Sequence, residues 1–382
     1  MKQMNIYSYK RGEIMFFLAR RNLFQDKSTL LLSIGGTAFA ILLMVILSSI
    51  LKGTVSEAGL FSRNVGADIF VSQKGVTNMI AGSSILPISL KSRIDNFKEV
   101  KRVVPICGSL YSFDVGNKKI AAYLIGYDTK EAFGGPWKIK DGKNMPEENE
   151  VILDEYIAKI NNISIGDNVE LSGEEFRVVG FSEETNTMGS QYIFTTKKDA
   201  EKLMLSKGKA NYYLVTLNDS SKAEEVAQLL ENKVSGISAC TKSEFAKNNE
   251  NCLDEILSAP MKFMIGISFF IGIMIIGMAV YTTTYGKMQE FAVLKAIGAS
   301  RLKLYSVVFF QSLISSVLGF VSGCIISVGA IKLINAVVSG VTASLDTDIL
   351  LQCFLMTFLM SLIAAYFPIR KVDSVDSASV FN

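Results

Sequence analysis

Residues 28–51 read STLLLSIGGTAFAILLMVILSSIL, a run from Ser28 to Leu51 without one charged side chain. A helix needs about 20 mostly apolar residues to cross a hydrocarbon core of roughly 30 Å, and at about 1.5 Å per residue this run reaches roughly 36 Å. Core helices of soluble proteins rarely stay uncharged that long, and a cleavable signal sequence has an apolar centre of only about 7–15 residues. Working outward, three more uncharged stretches pass the same test: Phe263–Gly286, Leu304–Ile331 and Ile349–Ile369. They explain how a chain of 382 residues can be 49% hydrophobic and only 20% charged. The expected fold class is an α-helical membrane protein with four transmembrane helices and an α+β extracytoplasmic domain inserted between helices 1 and 2. The expected division is 1–51 for the N-terminal segment and first helix, 52–262 for the inserted domain, and 263–382 for helices 2–4.

Lys and Arg near span ends stay on the cytoplasmic side. Lys2, Lys10, Arg11, Arg20, Arg21 and Lys27 precede the first span, against Glu13 and Asp26. Lys287, Lys295, Arg301 and Lys303 lie between spans two and three, Arg370 and Lys371 follow the fourth, and the third connection has Lys332 against Asp346 and Asp348. Both termini and the 287–303 loop are therefore expected inside a multi-pass cell membrane protein, and 52–262 outside. Ile14–Phe24 mixes Phe16, Phe17, Leu18 and Phe24 with Arg20 and Arg21. It reads either as a helix at the inner interface, its arginines among headgroups, or as a continuous extension of the first span.

The polar middle reads as mixed α and β. Lys101–Phe113, Lys119–Tyr127, Tyr212–Leu217 and Ile237–Thr241 are strand-like, Ser89–Phe97 and Ser221–Asn232 helical, and Asn168–Leu171 and Phe176–Phe181 form a hairpin through Ser172-Gly173. The pattern suggests a small α/β unit interrupted at about Trp137–Thr195 by a second one. No catalytic constellation stands out. Asp154 and Glu155 are adjacent and read as solvated, and no GxxxxGK[ST] phosphate loop exists to hold a nucleotide. With no His and no CxxC, a zinc ligand set is missing. Cys324 and Cys353 read as small hydrophobes within spans; a bridge between Cys240 and Cys252 stays open, and Cys107 has no assigned partner. A net charge of +3 is too weak to argue for nucleic acid. Gly35, Gly36, Gly266, Gly272, Gly277, Gly319 and Gly323 offer sites for close helix contact, the last two at GxxxG spacing, or simply reflect span composition.

In the 287–303 loop, Glu290, Phe291, Leu294 and Ile297 recur at helical spacing and would form one apolar-acidic face of a short helix, with Lys295 beside them. Gly298 suits the left-handed conformation that ends helices, and Ser300 can cap the next span.

Three stretches resemble the permease subunits of FtsX-like, MacB-type ABC transporters. LARRNLFQDKSTLLLSIGGTAFAILLMV (Leu18–Val45) is similar to the family's basic entry into its first span. KMQEFAVLKAIGASRLKLYSVVFFQSLI (Lys287–Ile314) resembles its cytoplasmic loop, and AAYFPIRKVDSVDSASV (Ala364–Val380) its exit, where Ser377 stands in place of the usual Pro. Asn149–Phe181 is similar to its extracytoplasmic core domain. The resemblance implies a permease that is no enzyme itself, works as a homodimer or as a heterodimer with a related permease, and carries a cytoplasmic ABC ATPase that binds ATP and magnesium. It makes Glu290, Phe291, Leu294, Lys295, Ile297 and Gly298 the coupling element. Movement of the outer domains would then extrude a hydrophobic or amphipathic substrate, haem being disfavoured by the lack of His although Met and Tyr can ligate iron. The alternatives are a non-transporting transmitter that activates a wall hydrolase or sensor, and a lipoprotein-releasing permease. An adaptor or a secreted protein would be a further partner, beside membrane lipid.

Overall fold

The structure, a computed structural model, describes residues 15–115, 118–187, 190–337 and 343–373. Lys2, Lys10, Arg11, Glu13 and the tail with Ser377 lie outside the described residues. In chain order the helices are α1 (15–25), α2 (Lys27–Glu57), α3 (Leu60–Asn64), α4 (Leu90–Asp95), α5 (Glu155–Asn161), α6 (Lys197–Leu203), α7 (Ala223–Lys233), α8 (Lys242–Gly286), α9 (Met288–Ala296), α10 (Arg301–Val337) and α11 (Thr347–Asp373). Four of them, α2, α8, α10 and α11, are long and apolar enough to cross a membrane. The chain divides into a helical unit, made of the chain up to Leu51 together with Ser258–Val337 and the segment from Ala343, and an α/β unit over Lys52–Leu257.

In the helical unit, α1 and α2 are two helices and not one. Asp26 separates them by capping α2: its carboxylate accepts the Thr29 N–H (3.1 Å) and the hydroxyls of Thr29 (2.6 Å) and Ser28 (2.8 Å). These bonds satisfy donors that a helix start leaves open, so the continuous-extension reading falls. The core of the unit gathers Ile41, Met44, Ile276, Val280, Val308, Met360 and Ala364. Glycines set how closely the helices approach. A Cβ on Gly319 would sit 2.5 Å from Cβ of Thr37, and one on Gly323 2.9 Å from the Ala38 carbonyl oxygen, so the GxxxG of α10 seats α2. Gly36 meets Ile275 of α8 and Gly272 meets Met360 of α11 in the same way, whereas Gly35 and Gly266 have nothing within 4 Å.

The α8 helix is 45 residues long, about 68 Å, and starts well before the uncharged run at Phe263. Its first third, up to Leu257, belongs to the α/β unit, where Phe245 stacks on Phe70 at 4.6 Å and the Asn249 side chain accepts the Met79 N–H and donates to Ser62 Oγ.

The strands of that unit are β1 (Ile69–Gln73), β2 (Leu86–Pro87), β3 (Val100–Val115), β4 (Lys118–Tyr127), β5 (Ile139–Gly142), β6 (Glu150–Asp154), β7 (Asn168–Leu171), β8 (Glu174–Ser182), β9 (Asn186–Thr187), β10 (Ser190–Thr196), β11 (Lys209–Ala210), β12 (Tyr212–Leu217) and β13 (Ile237–Thr241). The path β13-β1-β12-β3, all antiparallel and with α4 and α7 as crossovers, is a split β-α-β of ferredoxin-like order. The 16-residue β3 carries the chain from this sheet into the inserted one, β3-β4-β10-β6-β8-β5: its first half pairs with β12 and its second with β4. One face of the insert packs Leu124, Leu153, Phe176 and Ile193, while an aromatic cluster of Phe61, Phe70, Tyr192 and Phe194 fills another core. Ser172 and Gly173 both have positive φ, 53° and 81°, as a two-residue turn between β7 and β8 requires.

Two sequence expectations fail here. Asp154 is fully buried, not solvated: it caps α5 by accepting the Tyr156 N–H (2.9 Å) and takes the Thr185 hydroxyl (2.6 Å), and burial pushes its carboxyl up to about 6. Its neighbour Glu155 turns outward to Lys140 and Lys159. All five cysteines are free, Cys240 buried on β13 and Cys252 on α8, so the Cys240–Cys252 bridge is not formed.

Candidate functional site

The loop between α8 and α10 folds as α9. It starts at Lys287, whose carbonyl accepts the Phe291 N–H at 3.1 Å and whose ammonium meets Glu290 at 2.6 Å. It stops by a two-bond reversal. The Ala299 N–H reaches back to the Leu294 carbonyl (2.9 Å) and the Gly298 N–H to the Lys295 carbonyl (3.1 Å), with Gly298 at φ +91°. These are the paired bonds of a Schellman stop, and a positive φ at that position favours glycine. The Ser300 carbonyl then accepts from Lys303 (2.9 Å) and Leu304 (3.4 Å) as α10 begins. The corner is therefore closed by backbone bonds on both sides of Gly298.

The structure divides the candidate residues between two faces. Phe291 is 2% exposed and joins the core with Leu304, Val307 and Val308, and Leu294 packs half-buried against the same core. Phe291, Leu294 and Glu290 border a small gap with Leu18 and Asn22 of α1 and Val307 of α10, so α1 and α10 form the seat of α9. Ile297 points away and is 75% exposed. Glu290 and Gly298 are exposed too, and Lys295 is intermediate. The spacing of Phe291, Leu294 and Ile297 thus does not bring them onto one surface. Two residues that sequence reasoning passed over lie exposed near Ile297 in the chain: Val293, four residues before it, and Leu302 in the first turn of α10. The signal was there in the i, i+4 pair of Val293 and Ile297. A short helix that is apolar on both sides has one face to bury against its own unit and another to bury elsewhere.

Among the described residues, no group of three or more His, Cys, Asp or Glu is placed to hold a metal ion.

Residues 30–233 match the family model of the MacB-like periplasmic core domain, and residues 262–374 that of the FtsX-like permease C-terminal domain. An uncharacterized ABC transporter permease of Methanocaldococcus jannaschii is 23% identical over 401 residues, covering 95% of this chain and 96% of that one. A Staphylococcus haemolyticus permease assigned by name to a hemin transport system is 22% identical over 247 residues, covering 63% of this chain and 66% of its own. Among solved structures, the periplasmic region of MacB from Actinobacillus actinomycetemcomitans aligns with 50% of this chain and 95% of its own, at 18% identity and a TM-score of 0.37. Permeases of this kind are the membrane subunits of ABC transporters, not their catalytic part, and imply a cytoplasmic ATPase partner. This chain is a multi-pass membrane protein and belongs to the family of ABC transporter permeases that join a MacB-like periplasmic core domain to an FtsX-like permease domain.

Proposed function

We propose that the chain couples ATP hydrolysis by a separate cytoplasmic ATPase to movement of the α/β unit, and so drives extrusion of a hydrophobic or amphipathic substrate. The observation that carries this reading is the two-sided apolarity of α9. Phe291 and Leu294 fix the helix to the unit that crosses the membrane, while Val293 and Ile297 remain exposed for a partner. A displacement received by that exposed face is passed on through a corner that Gly298 and two backbone bonds hold closed. In this reading both termini and α9 are cytoplasmic, the α/β unit is outside, and two permeases, identical or related, stand side by side over two ATPases that bind the ATP and magnesium. The name of the Staphylococcus relative brings haem into the substrate class; with no His in this chain, ligation would fall to Met or Tyr.

The test is reconstitution of the chain with its cognate ATPase in liposomes, followed by a screen of hydrophobic and amphipathic molecules for stimulated ATP hydrolysis. Stimulation accompanied by ATP-dependent release of the same molecule is expected. Hydrolysis that responds to no such molecule but does so to a secreted hydrolase would replace export by signal transmission. Orientation is checked in intact cells with an impermeant thiol reagent in a cysteine-free background: Asn211→Cys should label and Lys295→Cys should not.

A further inference from the structure

A groove of about 730 Å³ runs between α1 and α10 inside the helical unit, bordered by Phe17, Arg20, Arg21 and Phe24 on α1 and by Ile314 and Leu318 on α10. The α1 helix is held in place by its buried residues and by a ring contact at the groove's edge. Ala19 and Leu23 are buried in the core, and Phe16, which also borders the groove, stands edge-on to Phe310 of α10 with ring centres 5.7 Å apart. That leaves Phe17 60% and Phe24 50% exposed, with Arg20 and Arg21 between them in the chain. No acidic side chain borders the groove, and among the described residues neither arginine has a carboxylate partner. One wall is thus cationic and aromatic, and the other is aliphatic and lies within a span-forming helix. Ile314 and Leu318, one turn apart, extend that apolar wall by about 6 Å.

We propose that this groove binds an anionic phospholipid, its phosphate between Arg20 and Arg21 and an acyl chain along Ile314 and Leu318. Two forked guanidinium groups suit a phosphodiester, and two positive charges with no carboxylate partner among the described residues favour a net-negative headgroup over a zwitterionic one. A free phosphate or a nucleotide has no use for the apolar wall, and an acidic protein segment has no use for a wall inside the bilayer. The proposal rests on the permease reading only for the choice of leaflet, which is the cytoplasmic one. Its readout needs no ATPase, so its failure would leave the coupling reading untouched.

The full chain, purified in mild detergent, is titrated by native mass spectrometry with phosphatidylglycerol and with phosphatidylcholine of the same acyl chains. Phosphatidylglycerol should bind about tenfold more tightly. The double variant Arg20→Gln, Arg21→Gln should lose this preference and keep its thermal midpoint, because both side chains are exposed. Ile314→Trp, which fills the apolar wall, should weaken both lipids, and millimolar inorganic phosphate should displace neither. An unchanged preference in the double variant overturns the proposal. Displacement by inorganic phosphate would reduce the groove to a simple anion site, and disulfide formation between two copies of a Phe17→Cys chain would make it a subunit contact; either result overturns it as well.

Discussion

The α/β and helical units each hold a fully buried polar side chain, Asp154 and Gln311, and these two are satisfied in opposite ways. Asp154 of the α/β unit is fully buried, yet the Tyr156 amide and the Thr185 hydroxyl both reach it, and Ser182 bonds Thr185 in turn at 2.6 Å. Gln311 of α10 is equally buried, but neither its oxygen nor its nitrogen has a hydrogen-bond partner among the described residues, and the same is true of the Ser33, Thr37 and Ser315 hydroxyls. Thr37 lies where Gly319 lets α2 approach α10. Around Asp154 the α/β unit thus holds a closed polar network, whereas the buried hydroxyls of Tyr127, Ser206 and Thr216 in the same unit have no partner among the described residues. At the α2–α10 seam, close packing at Gly319 leaves the buried Thr37 hydroxyl without a partner among the described residues.

The comparison breaks first at the glycines. Gly319→Leu and Gly323→Leu drive a side chain into Thr37 and Ile41, and each should cost about 3 kcal/mol or more of stability, read as a fall in thermal midpoint in detergent. Gly35→Leu, which has nothing within 4 Å, should melt like the parent; an equal fall there would place a second chain against α2.

The next effect is electrostatic. The folded-state value of Asp154, about 6, lies above the ordinary 3.8. Below about pH 4 the group is protonated in folded and unfolded chains alike and costs nothing. As pH rises from about 4 to 6 the unfolded chain ionises first, so stability falls, and above that the full penalty of about 3 kcal/mol persists. Asp154→Asn should remove this contribution, so denaturant midpoints of the two proteins should diverge between about pH 4 and 6 and run parallel above. Parallel curves throughout would show that Asp154 is hydrated and that the network is not closed.

The smallest effect sharpens the other side. Gln311→Leu should stabilise the helical unit by about 1 kcal/mol, since it deletes an unpaired buried amide. A loss of stability instead would reveal a partner for Gln311 and erase the contrast between the units.

Much of this fold was legible in the sequence where local pattern and tertiary context agree. Tyr212–Leu217 and Ile237–Thr241 read as strands from alternation and β-branched content, and Ser172-Gly173 announced its turn. The first half of α8 was not legible, because Asn248–Asn251, Asp254 and Glu255 interrupt the apolar run. That stretch is anchored by Phe245 and Asn249 docking on Phe70, Met79 and Ser62, all distant in sequence. Asp154 was misread for the same reason, since Thr185 lies 31 positions away. At α9 the spacing located the helix and Gly298 its end. Which side faces inward depends on the seat made by Leu18, Asn22 and Val307, and no local pattern records that seat.

The exposed face of α9 is where the account meets its most direct test. Ile297→Asp changes a side chain that is 75% exposed, so insertion and thermal midpoint should stay as in the parent, while Phe291→Asp should damage the fold itself. Affinity of the detergent-purified permease for its cognate ATPase is the quantity to measure. A loss of about tenfold or more for Ile297→Asp, at unchanged melting behaviour, is expected for a residue at the centre of a protein contact. Undiminished ATPase binding and undiminished substrate-stimulated hydrolysis in that variant would contradict the assignment of α9 as the coupling element.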